Sequence, residues 1–207
     1  MFSGIIEAMG EIEKIEEIGG GRAFYLKAPW AGDLAQGESV ALDGVCTTVT
    51  EAGGGAFRIF ASEQTCAITN LGARKAGQRV NLERSLQLDA RVSGHFVYGH
   101  VDARGPLQKI ETGASSWVLE FGVPSARFMP WMIPKGSVAI NGISLTVYEI
   151  RSQAFAVMII PHTWEKTNLS ALAIGESANL EFDFMGKYAE NFFRGARGRF
   201  SGGPLFA

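Results

Sequence analysis

Apolar and polar residues alternate along most of this chain, and a period of two marks strands with one face buried. Val40 and Leu42 oppose Ala41 and Asp43, while Trp117, Leu119 and Phe121 share one face with Val118 and Glu120 on the other. The run from Phe155 to Ile160 is continuously apolar, which predicts a strand buried on both faces. Gly19-Gly20-Gly21 and Gly53-Gly54-Gly55 interrupt strand-like runs and predict tight turns. Short helical turns are expected after Ser62 and Thr163, and another from Ser125, directly behind Pro124. Beyond Asp183 the period changes. Phe184, Tyr188 and Phe192 recur every four residues with Lys187 and Glu190 between them, the pattern of a short amphipathic helix. Because it lies outside the strand-rich region, that helix is expected to make an oligomer contact rather than join a core. The glycines and arginines from Gly195 onward suggest a loose tail.

The strand pattern occurs twice. Gly4 to Glu16 returns as Gly99 to Glu111, an offset of 95 that preserves Gly4, Ala8, Gly10, Lys14, Ile15 and Glu16. Ser39 to Val49 returns as Ser137 to Val147 at an offset of 98, which Thr69-Asn70-Leu71 and Gly77 to Glu83 also keep. A period this long makes each copy a small domain rather than a stacked repeat unit. Many short strands in so few residues predict a closed antiparallel barrel, because closure removes exposed sheet edges. The expected division is 1–90 and 91–184 for the barrels, with the junction between Arg84 and Ser93, and 185–207 for the helix and tail.

Composition narrows the class. With 26 glycines in 207 residues and 19% charged residues, the chain suits strands and turns better than a helical bundle. A net charge of −2 gives no electrostatic reason to expect nucleic acid or an acidic membrane surface. No stretch approaches the roughly 20 apolar residues of a membrane span, and the N-terminus lacks the order of a signal peptide. A cytoplasmic location is therefore expected. Cys46 and Cys66 have neither CxxC nor Cys/His spacing, so a disulfide framework and a metal site are not expected.

Four segments carry a family likeness: Met1 to Glu7, Ala41 to Thr50 with its Gly-Val-Cys core, Ser93-Gly-His-Phe-Val-Tyr-Gly-His-Val-Asp102, and Asn141 to Val147. Together they resemble riboflavin synthase, over both halves from residue 1 to about 193. The resemblance implies an all-β chain of two homologous six-stranded Greek-key barrels with a C-terminal helix that trimerises. It also implies dismutation of two 6,7-dimethyl-8-ribityllumazine molecules by four-carbon transfer, without metal or redox cofactor. The implied site lies between the N-terminal barrel of one chain and the C-terminal barrel of its neighbour, and lumazine synthase is a further implied partner.

Carried residue by residue, the likeness places substrate contacts at Gly4, Ile5 and Ile6, at Cys46, Thr47 and Thr48, and at Ala61, Ser62, Glu63, Gln64 and Thr65. Further contacts fall at Gly99, His100 and Val101, at Lys135, at Ser144, Leu145 and Thr146, and from Met158 through Ile159, Ile160, Pro161 and His162 to Thr163. Two identical reactants need two like pockets, and one must donate while the other accepts, so differences between the copies are the catalytic candidates. Cys46 faces Ser144 in the alignment, Asp183 faces Ser85, His162 faces Gln64, His100 faces Ile5, and His95 has no counterpart. The catalytic set is Ser39, Cys46, His95, His100, Thr146 and Asp183. Thr48 matches Thr146 and Thr65 matches Thr163, which suits hydrogen bonding common to both pockets.

Cys46 could add to the electrophilic ring or position water, or be a small buried cysteine; Cys66 reads as core. His95 and His100 are five apart, so on one regular strand they would face opposite ways. That favours His100 as ring contact or proton shuttle and His95 as an orienting residue, each with the alternative of a histidine bonded within the barrel. Asp183 could hold ribityl hydroxyls or accept a methyl proton, or be a solvated strand-end aspartate. Three positions depart from the commoner family pattern: Asn141 for aspartate, Thr47 for leucine and Tyr98 for glutamine. Asn141 is expected to remove a negative charge beside the C-terminal pocket. The competing readings are a non-catalytic lumazine-binding antenna protein and a flavin-binding barrel of an electron-transfer enzyme; for the latter no dinucleotide fingerprint accompanies the glycines.

Overall fold

The computed structural model describes residues 1–200. Six strands form the first barrel: β1 (Ala8–Ile18), β2 (Gly21–Lys27), β3 (Ser39–Leu42), β4 (Val45–Gly53), β5 (Ala56–Ala61) and β6 (Arg79–Arg84). They close in the order β1-β2-β5-β4-β3-β6, every pair antiparallel. The second barrel repeats this order with β7 (Ala103–Thr112), β8 (Trp117–Gly122), β9 (Ser137–Ile140), β10 (Ile143–Ile150), β11 (Ala154–Ile159) and β12 (Ser177–Phe182). Even the bulges correspond. The register slips between Val49 and Glu51 and again between Val147 and Glu149, where the extra residue bends the strand into the closing curve.

Alternation decides what each barrel encloses. Phe24, Leu26, Ile59 and Leu82 fill the first interior; Leu107, Leu119, Phe121, Phe155 and Phe182 fill the second. The apolar run at β11 departs from the expected doubly buried strand, because Met158 and the following Ile160 are exposed while Phe155, Val157 and Ile159 are buried. The described residues also form three α-helices, two of 6 residues and one of 17: α1 (Glu63–Ile68), α2 (Pro161–Lys166) and α3 (Phe184–Phe200). Ser62 caps α1 as expected, its Oγ accepting from Thr65 N at 3.1 Å. Thr163, by contrast, lies within the first turn of α2, since Pro161 with its fixed φ starts that helix two residues earlier. A 3-10 turn occupies Ala126–Trp131 behind Ser125. The backbone of α3 continues past Gly195 to Phe200, correcting the expectation of a loose tail from Gly195; the remainder of that expectation concerns 201–207, which lie outside the described residues. Among the described residues no helix is long and apolar enough to cross a membrane.

The barrels meet through a buried polar junction with pseudo-twofold symmetry. The β3–β4 turn at Asp43-Gly44 abuts the β9–β10 turn at Asn141-Gly142, and both pairs adopt positive φ. A Cβ on Gly44 would lie 2.5 Å from Gly142 N, so only glycine lets the turns touch. Around them Asn81 donates to Asn168 Oδ1 at 2.9 Å and to the Asn141 carbonyl at 3.0 Å. Its counterpart Asn179 donates to Asn70 Oδ1 at 2.9 Å and to the Asp43 carbonyl at 2.9 Å. Asp43 accepts from Arg74 Nε at 3.0 Å, Asn81 N at 2.8 Å and Asn168 Nδ2 at 2.7 Å. Asn141 is thus a member of this junction, bonded to Asn70, Asn168 and Asn179, and not a neighbour of the C-terminal pocket as the sequence had suggested. A polar turn buried on a domain contact must satisfy its groups across that contact.

Candidate functional site

On β4, Cys46 and Thr48 point away from the barrel interior while Val45, Thr47 and Val49 point in. Thr47 therefore departs from its expected contact role: it is buried, and its hydroxyl donates to the Val40 carbonyl at 2.8 Å. Ser39 stands opposite Thr48 in the β3–β4 register, half-buried. Gly99 lies directly on Cys46, whose N–H donates to the Gly99 carbonyl at 2.9 Å. His100 follows, exposed, and Val101 packs onto the first barrel's core. At the head of α1, Ser62 and Thr65 hydroxyls lie 2.9 Å apart, Glu63 and Gln64 are exposed, and Ala61 is buried at the end of β5. These residues make up one candidate half-site.

The second half-site repeats the first on the other barrel. On β10, Ser144 is half-buried and Thr146 exposed, whereas Leu145 faces the core. Gly4 takes the place that Gly99 has on Cys46, accepting from Ser144 N at 2.8 Å; Ile5 is exposed and Ile6 packs onto the second core. Met158, Ile160, Pro161 and His162 are exposed at the β11–α2 edge, and Thr163 is half-buried. Ile159 is fully buried, so only its backbone can take part. Lys135 is exposed in a positive-φ turn at 65°. Each leading glycine therefore covers the other copy's barrel, an exchange that the sequence alignment alone does not reveal.

The histidine argument from strand alternation is corrected. Residues 93–102 form no strand, only a single bridge between Phe2 and Val97, so the two-face rule does not govern them. His95 lies at the second half-site, its Nδ1 2.7 Å from Ser144 Oγ, and His100 lies next to Gly99 at the first. Burial pushes the His95 imidazole below its usual range, and the Asp183 charge opposes that shift. A depressed folded value means the unfolded chain binds the proton more readily. The stability contributed by neutral His95 is then present above the ordinary imidazole pKa and lost as pH falls through the folded value. A proton NMR titration should accordingly place the His95 midpoint below that of free imidazole; a midpoint above it would mean the Asp183 charge outweighs burial. Asp183 itself sits at the N-cap of α3, its Oδ1 accepting from Met185 N at 3.0 Å, and it lines a cavity of about 790 Å³ between the 3-10 turn and α3.

Two buried carboxylates were not singled out as site candidates from sequence. Glu83 of β6 accepts from Ser3 N at 2.7 Å, Ser3 Oγ at 2.8 Å and Gly4 N at 3.0 Å. Glu181 of β12 accepts from Tyr98 N at 2.7 Å and Gly99 N at 2.8 Å. The available signal was the recurrence of Gly77 to Glu83 as Gly175 to Glu181, which keeps both glutamates.

Two closed barrels of one design, each covered by a glycine segment from the other copy, define a tandem-barrel protein. The family model described as "Lumazine binding domain" matches residues 3–85 and again 98–183. The riboflavin synthase of Actinobacillus pleuropneumoniae is 39% identical over 193 residues, covering 93% of this chain and 89% of the relative. That of Mycobacterium tuberculosis is 37% identical over 202 residues, covering 95% and 100%, and that of Bacillus subtilis 33% over 197 residues, covering 95% and 91%. The chain belongs to the riboflavin synthase family. Among solved structures, LumP complexed with riboflavin superposes with a TM-score of 0.82 at 20% identity, covering 88% of this chain and all 100% of that one, a likeness of fold.

Proposed function

We propose that the protein converts two molecules of 6,7-dimethyl-8-ribityllumazine into riboflavin and 5-amino-6-(D-ribitylamino)uracil by transfer of a four-carbon unit. The observation that carries this reading is the pair of like half-sites, centred on Cys46 and Ser144, in duplicated barrels. Each would hold one ring under its glycine segment. Holding both reactants in register can contribute roughly 7–11 kcal/mol toward the barrier, which leaves modest work for acids and bases. In the first half-site Cys46, Ser39 and His100 would act on the ring or the attacking water. In the second, Ser144, Thr146, Thr163 and Asp183 would hold the other molecule, with neutral His95 bonded to Ser144 as proton carrier or orienter. No cofactor is assigned a step.

The test is conversion of the lumazine to riboflavin by purified protein without added cofactor, followed by absorbance. Binding without turnover at saturating substrate would favour the antenna reading, against which Cys46, His95 and His100 all stand. Cys46→Ser should slow turnover at least about tenfold while lumazine binding survives, and unchanged kinetics would remove the thiol from the mechanism.

The half-sites are open, so a second chain is proposed to close them. Met185, Tyr188, Phe192 and Phe193 on α3 are 62%, 69%, 73% and 65% exposed. The opposite side of the helix is tied to the second barrel by Lys187 to Asp102 at 2.6 Å and Trp131 Nε1 donating to Glu190 at 2.8 Å. A homotrimer through α3, pairing an N-terminal with a C-terminal half-site, is the assembly proposed. Deleting 184–207 should reduce the sedimenting mass; an unchanged mass would place the contact elsewhere. Both cysteines are unpaired, which suits the reducing cytoplasm, where association with lumazine synthase would pass on the substrate.

A further inference from the structure

We infer that Glu83 and Glu181 are positioning residues that act crosswise, each holding a glycine segment of its own copy as the wall of the other copy's half-site. The inference rests on the proposed function insofar as those half-sites take substrate.

The geometry is a three-part clamp. Glu181 is 6% exposed on β12 and receives the Tyr98 and Gly99 N–H groups, one on each carboxylate oxygen, at 2.7 and 2.8 Å. The carbonyl of the same Gly99 then accepts from Cys46 N on β4 at 2.9 Å. Glu83, 4% exposed on β6, receives Gly4 N at 3.0 Å, and the Gly4 carbonyl accepts from Ser144 N on β10 at 2.8 Å. Each glycine is thus fixed through its N–H by a glutamate and through its carbonyl by the opposite barrel. Burial raises the pKa of both carboxyl groups, and the backbone donors offset part of that shift. An apolar side chain would fill either position more cheaply but would leave two N–H groups unsatisfied. The residues immediately after the clamped glycines are Ile5 and His100, so clamp geometry sets where each stands over its half-site.

Cys46 reports on the Gly99 segment without any need for substrate. A glutamine at 181 turns an amide N toward one of the two donors and leaves it unpaired, so Gly99 should lift away from Cys46. Glu181→Gln should therefore raise the rate of Cys46 alkylation by iodoacetamide about tenfold, whereas Glu83→Gln should leave it unchanged. Tryptic cleavage after Arg58 puts Cys46 and Cys66 on separate peptides, so mass spectrometry follows each thiol. Cys66, whose thiol burial pushes up, serves as the control for general loosening. Equal acceleration in both variants, acceleration of Cys66 alongside Cys46, or no acceleration in folded Glu181→Gln would each overturn the crosswise assignment. Should Glu181→Gln fail to fold by circular dichroism, Glu181→Asp, which keeps the charge but withdraws it by one methylene, decides by the same comparison. Absence of turnover in the unaltered protein would end the proposed function and leave this result standing.

Discussion

Asp43→Asn should lower the free energy of unfolding by about 3–5 kcal/mol, because removing one partner from a buried ion pair strands the other. Asp43 is fully buried, and its carboxylate gathers Arg74, Asn70, Asn168 and the Asn81 N–H in one place. An asparagine side chain can tolerate the positive φ of 45° at this turn, so the loss would come from the bonds and not from backbone strain. It would turn a donor toward groups that are themselves donors. The second copy supplies the internal comparison: its asparagine, Asn141, faces no arginine, because Leu172 stands where Arg74 does in the first copy. The double variant Asp43→Asn with Arg74→Leu should then cost less than the two single changes summed. Urea unfolding of the four proteins in that cycle measures the coupling. A change of under about 1 kcal/mol in the single variant would mean that water reaches the junction and takes over the lost bonds.

Gly99→Ala should reduce turnover about a hundredfold, the scale on which a misplacement of about 1 Å acts on a reacting pair. The added Cβ would fall 2.5 Å from Cys46 Cβ and 2.6 Å from its backbone nitrogen, at a φ of +76° that favours glycine. Nothing at that distance is a flexible side-chain end, so the segment must move and carry His100 with it. Gly4→Ala meets the same obstacle at Ser144, with a contact of 2.6 Å. Steady-state kinetics beside a thermal melt separates the two consequences, since misplacement lowers kcat in protein that remains folded. Retained turnover in a folded Gly99→Ala protein would detach His100 and Cys46 from a shared geometry.

Local signals carried far. The strands, the turns at Gly19-Gly20 and Gly54-Gly55, the Ser62 cap and α3 all depend on residues within a few positions of one another. The repeat disclosed two domains of one design, and the recurring Asn-Leu-Glu and Thr-Asn-Leu segments were visible as text. Their use was not. Asn81 bonds Asn168 and Glu83 bonds Gly4 across 87 and 79 residues, distances at which periodicity says nothing. The same blindness put Asn141 beside a pocket and His95 on a strand. The apolar run alone implied burial of Met158 and Ile160, which the family resemblance had placed among substrate contacts, because hydrophobicity does not distinguish a residue buried by its own fold from one left at the surface.

By itself the amino-acid sequence determined the duplicated barrel and the chemical groups available to it, since alternation and turn residues act through neighbours. Tertiary structure decided which group meets which. The leading segments of the two copies change places, so Gly99 reaches Cys46 and Gly4 reaches Ser144, and that exchange depends on closing two barrels against a shared polar junction whose bonds exist only after both have folded.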